Sequence, residues 1–251
     1  MGMTYVMSDI HGHYEWFKQM LELIQFQEED KLYIIGDVID KGEDSASLFI
    51  EVVGDNRITC LLGNHEKMLL NALKYSDDES TWFMNDGENT IRQFEEIGLN
   101  YKETKKYIEK FPVEMFITVG DKRYCLVHGK PLWLEEYPLL KDKDIIYQTD
   151  IDDAAVEMAV WSRALSYDNF VILETEYLDQ YIREDTTLII GHTPTVYCHY
   201  DNVDKLISKI YKNDRLINVD CGCAGDYRLG CLRLDDMQEF YIPEKDEELI
   251  P

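Results

Sequence analysis

Tyr5-Val6-Met7-Ser8-Asp9-Ile10-His11-Gly12 starts as a short apolar run and stops at small and polar residues. The design returns twice. Leu32-Tyr33-Ile34-Ile35 runs into Gly36-Asp37, and Ile58-Thr59-Cys60-Leu61-Leu62 runs into Gly63-Asn64. An apolar run without polar alternation predicts a strand buried on both faces. A helical pattern follows each run, at residues 14–26, 45–53 and 66–73. In the first, Trp16, Phe17, Met20, Leu23 and Ile24 keep one apolar face at helical spacing. Strand, polar loop and helix, three times over, predict parallel βαβ units. In such sheets ligands sit outside the carboxyl ends of the strands. The three polar loops therefore meet at one rim.

Further along, residues 76–111 read as mostly helical and polar. Residues 113–119 and 123–127 read as strands joined at Gly120-Asp121. A helical stretch at 152–165 precedes residues 171–182. Short strands are expected at 186–190, 196–200, 206–211, 216–219, 229–234 and 239–242, with a hairpin turn at Lys212-Asn213-Asp214. No linker divides residues 1–251, so one domain is expected, with a frayed acidic tail at 244–251. A hydrophobic fraction of 45% supports a sizeable core and argues against disorder.

The charge balance is acidic, with 50 Asp and Glu against 25 Lys and Arg. No basic face is visible, which argues against a nucleic-acid polymer as partner. No window approaches the ~18–20 apolar residues of a membrane span. The N-terminal residues lack a basic start before an apolar run, and Val6 stands where lipidation at Gly2 wants Ser or Thr. Six cysteines are thinly spread and read as reduced thiols. A soluble cytoplasmic protein is expected.

The strand ends carry Asp9 and His11, Asp37 and Asp40, Asn64 and His65. Later come His128 in Val127-His128-Gly129 and His192 in Gly191-His192-Thr193. One Asp after a strand is often a helix N-cap, and one His is usually a hydrogen-bonded structural residue. Capping does not explain the joint pattern. Carboxylate, imidazole and amide donors without thiolates suit Mn, Fe or Zn rather than Ca or a structural zinc site. Two such ions can clamp the attacking and leaving oxygens of a phosphoryl displacement.

The motifs Ser8-Asp9-Ile10-His11-Gly12, Gly36-Asp37-Val38-Ile39-Asp40-Lys41-Gly42, Gly63-Asn64-His65-Glu66, His128-Gly129 and Gly191-His192 follow in order. In them the sequence resembles the calcineurin-like metallophosphoesterases. The branch is that of the Ser/Thr protein phosphatases and the bacterial symmetrical dinucleoside-tetraphosphate hydrolases. The resemblance spans roughly residues 3–234. It implies a four-layer αββα sandwich, two mixed sheets flanked by helices, and two transition-metal ions, Mn first with Fe or Zn as alternatives. It implies that Asp9 and His11 hold one ion, Asp37 bridges both, and Asn64, His128 and His192 hold the other. His65, paired with Asp40, would be the general acid rather than a ligand. A water shared by the ions would attack phosphorus as hydroxide.

The departures bear on substrate. Protein phosphatases of this branch direct at phosphate one Arg after the second motif Asp and another before Gly-Asn-His. Here these positions hold Lys41 and Leu62. Lys supplies charge without a planar fork. Arg163 in Val160-Trp161-Ser162-Arg163 matches a third family Arg or is an ordinary helix-surface residue. Asn85 in Asn85-Asp86-Gly87 resembles a site loop of phage-type protein phosphatases or is a plain turn. Leu62 resembles the dinucleotide hydrolases, whereas Asp40 and Glu66 resemble the protein phosphatases. The expected function is a Ser/Thr-type protein phosphatase acting on phosphorylated protein, peptide or small phosphoester. The alternative is symmetrical dinucleoside-tetraphosphate hydrolysis. A binding protein on an inactive frame would have no chemical reason to keep the whole set. His13 reads as a helix-start residue, His199 as structural, and Cys221 and Cys223 as packing residues in a tight loop.

Overall fold

A computed structural model describes residues 2–75, 79–133, 136–164, 175–197 and 208–244. The three expected βα units are present. β1 (Thr4–Met7), β2 (Lys31–Ile34) and β3 (Ile58–Cys60) are parallel neighbours. Each leads into a helix: α1 (Tyr14–Leu23), α2 (Ser45–Gly54) and α3 (Asn64–Lys74). Then come α4 (Glu79–Phe83), α5 (Gly87–Glu96), α6 (Lys105–Ile108), β4 (Pro112–Val119), β5 (Lys122–Val127), β6 (Ile145–Tyr147) and α7 (Asp153–Trp161). The chain continues through β7 (Thr186–Ile190), β8 (Tyr211–Asn213), β9 (Leu216–Asn218), β10 (Leu229–Arg233) and β11 (Gln238–Ile242).

The strands form two sheets, in the orders β11-β10-β1-β2-β3 and β6-β4-β5-β7-β9-β8. Both are mixed. β10 runs antiparallel to β1, and β4 antiparallel to β5, while β5, β7 and β9 are parallel. Period-two geometry divides the apolar runs between two cores. Val6, Ile35 and Leu61 meet Tyr124, Leu126, Ile189 and Ile217 between the sheets. Tyr5, Met7, Leu32 and Ile34 on one sheet, and Cys125, Val127, Leu188 and Ile190 on the other, belong to the helix-side core. α1 covers β10 and β11, α2 covers β3, and α7 covers β4. The strands read as unbroken apolar runs because each face has a layer against it. This is the expected sandwich of two mixed sheets flanked by helices.

Several boundaries differ from expectation. α1 stops at Leu23 because Gln25 takes a left-handed φ of 52°, and Phe26 N–H returns to Leu21 O at 3.0 Å. α7 stops at Trp161, where Ser162 becomes extended. The N–H groups of Gly129 and Lys130 take up Ala159 O at 2.9 and 3.0 Å. The short edge strand β6 is additional to the expected strands. Thr195–Tyr197 is a 3₁₀ turn rather than the start of a strand, and at the 206–211 segment the strand begins only at Tyr211. Asp214 and Arg215 form the β8–β9 turn, with Lys212 and Asn213 inside the strand. The rest of the segment 196–200 with His199, residues 171–174, residues 206–207 and the tail 245–251 lie outside the described residues.

Candidate metal centre and active site

The loops leaving β1 and β2 are bonded to each other. Asp9 N–H donates to Gly36 O (3.2 Å), His11 N–H to Asp37 O (3.0 Å), and Gly42 N–H back to His11 O (2.8 Å). The β3 loop closes on them at two glycines. A Cβ on Gly63 would lie 2.1 Å from Asp37 Oδ1, and one on Gly36 would lie 2.6 Å from Gly63 Cα. Only bare backbone permits that approach. Glu66, at the start of α3, takes N–H bonds from Asp37 (2.9 Å), Val38 (2.9 Å), Ile39 (3.3 Å) and Gly63 (3.1 Å). One buried carboxylate thus sets the loop that carries Asp37. In the sequence Glu66 is marked only by its place in Gly63-Asn64-His65-Glu66, with no sign of these four bonds.

Asp37 stands at the middle of the cluster. Its Oδ1 accepts from His65 N–H at 3.0 Å. Its Oδ2 lies 3.5 Å from His11 Nε2, 3.4 Å from His128 Nε2 and 4.0 Å from His65 Nε2. The first two spacings are long for hydrogen bonds. They are close to the ~3–3.4 Å between two donors that each sit ~2.1 Å from one ion. His11, Asp37 and His65 form one group able to hold an ion, and Asp37, His128 and His192 form a second that shares Asp37. Asn64 Oδ1 joins the second group, 2.9 Å from His128 Nε2. Asp9 belongs to neither group. Its Oδ2 accepts from Ser8 Oγ and from His192 N–H, the latter at 3.0 Å. The donor set is oxygen and imidazole nitrogen throughout, which fits first-row transition ions.

The far side of each ring separates the histidines. His11 Nδ1 faces Ile39 O (3.0 Å), His128 Nδ1 faces Ile35 O (2.8 Å), and His192 Nε2 faces Trp161 O (3.2 Å). Backbone carbonyls on the far nitrogens fix tautomer and orientation, as for ligating imidazoles. His65 differs, with Nδ1 on the fully buried Asp40 carboxylate at 2.7 Å. Trp82 Nε1 and Thr90 Oγ1 also donate to Asp40.

Electrostatics follow from burial and neighbours. Burial, with the His65 charge next, pushes His11 well below its usual range, and burial with His128 takes His192 down to about 3. Burial opposes charge on His128 too, but the carboxylates of Asp37 and Asp9 raise it to about 10. For Asp37 the same burial is outweighed by His128, His65 and His11, which hold it well below the carboxylate range. Burial raises Asp9 to about 6. His65 is raised despite burial, by Asp37 and by its bond to Asp40.

A sequence model of the calcineurin-like phosphoesterase family matches residues 3–225. The chain belongs to this family. A symmetrical bis(5'-nucleosyl)-tetraphosphatase of Nitrosospira multiformis is 39% identical over 69 residues, covering 26% of this chain and 25% of that protein. Serine/threonine-protein phosphatase 1 of Salmonella typhimurium is 34% identical over 86 residues, covering 34% of this chain and 39% of that protein. The chain therefore spans well under half the length of these relatives. The cold-active protein-tyrosine phosphatase of a Shewanella species superposes with a TM-score of 0.56 at 16% identity, covering 96% of this chain and 80% of that one. At that identity the likeness concerns the fold.

The remaining expected residues of this calcineurin-like phosphoesterase lie at the rim or beyond. Lys41 is exposed and close enough to His11 and His65 to disfavour their protonation. Arg163, past the end of α7, donates from Nη1 to His192 O (2.8 Å) and Thr193 Oγ1 (3.1 Å). It is tied to the His192 loop rather than loose on a helix surface. Asn85 stands apart, its Nδ2 bonded to Thr81 O at 2.8 Å. The Asn85-Asp86-Gly87 turn instead seats Trp82, since a Cβ on Gly87 would lie 2.5 Å from that ring. Leu62 is fully buried. His13 stacks on Trp16 at 5.1 Å, with no side-chain capping bond. Cys60, Cys125, Cys221, Cys223 and Cys231 are free and buried.

Proposed function

We propose that this chain is a dinuclear-metal phosphoester hydrolase of the Ser/Thr protein phosphatase type. One observation carries the reading: three histidines are anchored on carbonyls and the fourth on a buried carboxylate. The first kind of anchor suits a neutral ligand, the second an imidazolium. Asp9 and His11 would hold one ion, Asn64, His128 and His192 the other, with Asp37 between them. Such ions, Mn first with Fe or Zn as alternatives, lower the pKa of water and neutralise phosphate charge. To hold an ion, His128 would have to be neutral. His65, held by Asp40 through Nδ1, turns Nε2 toward the cluster and delivers a proton to the departing oxygen. Lys41 and Arg163 supply the positive charge at the rim.

The openness of that rim favours a phosphorylated side chain on a protein or peptide: Lys41 and Arg163 are exposed, and Trp161, two residues before Arg163, is 38% exposed. A second reading, symmetrical dinucleoside-tetraphosphate hydrolysis, is favoured by Leu62. An apolar residue inside the core replaces a phosphate-directed Arg there, and the Nitrosospira relative carries that activity's name. A cytoplasmic setting is part of the proposal, supported by five free thiols. Among the described residues no helix is long and apolar enough to cross a membrane.

The test is paired turnover by manganese-loaded protein, with a phosphothreonine peptide against diadenosine tetraphosphate. Faster peptide dephosphorylation is expected. Preferred cleavage of the nucleotide into two identical diphosphates would move the chain to the second reading. Turnover of neither, nor of p-nitrophenyl phosphate, would leave an inactive frame.

A further inference from the structure

Asp40 is enclosed by a part of the chain that the βαβ core does not require. α4 and α5 are inserted between α3 and β4, and both turn side chains onto the loop 40–45. Asp40 is fully buried with a φ of 70°. Trp82 Nε1, a donor only, lies 3.0 Å from Asp40 Oδ2 and 3.1 Å from Oδ1. Thr90 Oγ1 does two things at once. It donates to Asp40 Oδ1 at 2.5 Å and accepts from Asp40 N–H at 3.1 Å. One turn further on the same face of α5, Gln93 donates to Gly42 O (2.9 Å) and accepts from Ser45 N–H (2.6 Å). Trp82 cannot withdraw, because it is 1% exposed and its ring lies against Gly87.

We propose that Trp82 and Thr90 are positioning residues for proton delivery by His65. The torsion that turns a carboxylate about its own axis is soft. Donors on Oδ1 and at the side of Oδ2 remove that freedom and leave Oδ2 aimed at His65 Nδ1, 2.7 Å away. Thr90 also ties the Asp40 backbone to its side chain, so both ends of the residue are fixed by one hydroxyl. With Asp40 fixed, the His65 ring is fixed, and Nε2 keeps its direction toward the cluster. This inference rests on His65 being the proton donor.

The experiment uses the full manganese-loaded chain and two esters. Phenyl phosphate releases a basic phenolate that needs a proton. p-Nitrophenyl phosphate releases an anion that leaves unaided. Thr90→Val keeps shape and deletes the hydroxyl. It is expected to lower kcat on phenyl phosphate by about 10-fold or more, with a far smaller fall on p-nitrophenyl phosphate and little change in KM. Trp82→Phe should shift the ratio of the two rates in the same direction. Thr90→Ser should restore the ratio. In a His65→Asn background Thr90→Val should add nothing to the loss on phenyl phosphate. Equal slowing on both esters, additive to His65→Asn, would overturn the proposal in favour of a purely structural role, and so would no slowing on either. If His65→Asn itself leaves the ratio unchanged, the assignment of His65 fails and this inference falls with it. Should Trp82→Phe fail to fold, the Thr90 pair decides alone.

Discussion

Replacing Glu66 by Gln changes almost no volume and reverses the polarity of half a binding site for backbone. In the wild-type chain Oε2 accepts from Asp37 and Gly63, and Oε1 accepts from Val38 and Ile39, all four bonds between 2.9 and 3.3 Å. Burial and the nearby Asp37 charge push Glu66 up to about 7. Four converging N–H donors nevertheless leave a protonated carboxyl no acceptor for its O–H, so the group is read as the carboxylate. The Gln oxygen can serve one pair of donors. Its NH₂ then confronts the other pair, and two buried N–H groups lose their acceptor at about 1–3 kcal/mol each. The cost is about 2–6 kcal/mol. For a chain of this size 1 kcal/mol moves the melting temperature by roughly 2–4 °C, so Glu66→Gln should lower it on the order of 10 °C. Circular-dichroism melts of both proteins at pH 8 measure this. Metal content should fall with it, because the displaced loop carries Asp37. A variant that melts within ~2 °C of wild type would refute the claim that Glu66 holds the loop.

Other consequences are equally direct. Burial raises Glu114 to about 8, while the Leu132 N–H at 2.8 Å opposes the shift. The folded chain thus keeps a proton that the unfolded chain releases above its ordinary value, so this contribution to stability is present at low pH and lost as pH rises toward 8. Urea denaturation at pH 5 and pH 8 should show wild type losing on the order of a few kcal/mol that Glu114→Gln does not lose. Parallel losses in both proteins would count against it. His65→Asn should retain both metals by elemental analysis while turnover of phosphothreonine peptide drops by about 100-fold or more. Metal loss in that variant would make His65 a ligand. With a formal net charge of -25, acidic phosphopeptides should react more slowly than basic ones at low salt, and added salt should narrow the gap. Equal rates at low ionic strength would remove long-range charge from the account.

How far the sequence could be read depends on whether a residue's partner lies in the same motif. Asp9, His11, Asp37, Asn64, His65, His128 and His192 were legible because each ends an apolar strand, and the parallel topology gathers strand ends. The glycines at 36 and 63 were legible as motif letters, although their reason, loop against loop, needs three dimensions. Glu66 carries a local signal: it stands three residues after Gly63 and accepts a bond from that residue's N–H, as in a capping box. Trp82 and Thr90 had none. They reach Asp40 across 42 and 50 residues of sequence, and nothing in an amphipathic pattern marks which polar residue of a helix faces a distant carboxylate. Val196 and Tyr197 have strand propensity, but they lie in the 3₁₀ turn Thr195–Tyr197, where Thr195 N–H is taken by Asp220 O at 2.8 Å. Tertiary bonding there decided against local propensity.

The backbone of the cluster explains why these particular residue types signal so strongly. Asp9, His11, Asp37, Asp40, Lys41 and His192 all have φ between 48° and 70°. Left-handed backbone is uncommon outside glycine, and Asp and His are among the residues that tolerate it best. β1, β2 and β7 end in sharp left-handed turns at Asp9 and His11, Asp37 and His192, and these turns swing their side chains onto the common centre, whereas Asn64 and His128, after β3 and β5, reach it without one. Ligand chemistry and backbone conformation therefore select the same amino acids independently. At about 1 kcal/mol or more apiece, six such residues approach the net stability of an ordinary domain, ~5–15 kcal/mol. They persist only because other bonds over-determine them. The cross-loop N–H bonds of Asp9, His11 and Gly42, the four donors on Glu66 and the Thr90 hydroxyl under Asp40 do so here. A substitution that keeps the donor atoms but resists the left-handed region would therefore damage the site through the chain before it did so through the ligand.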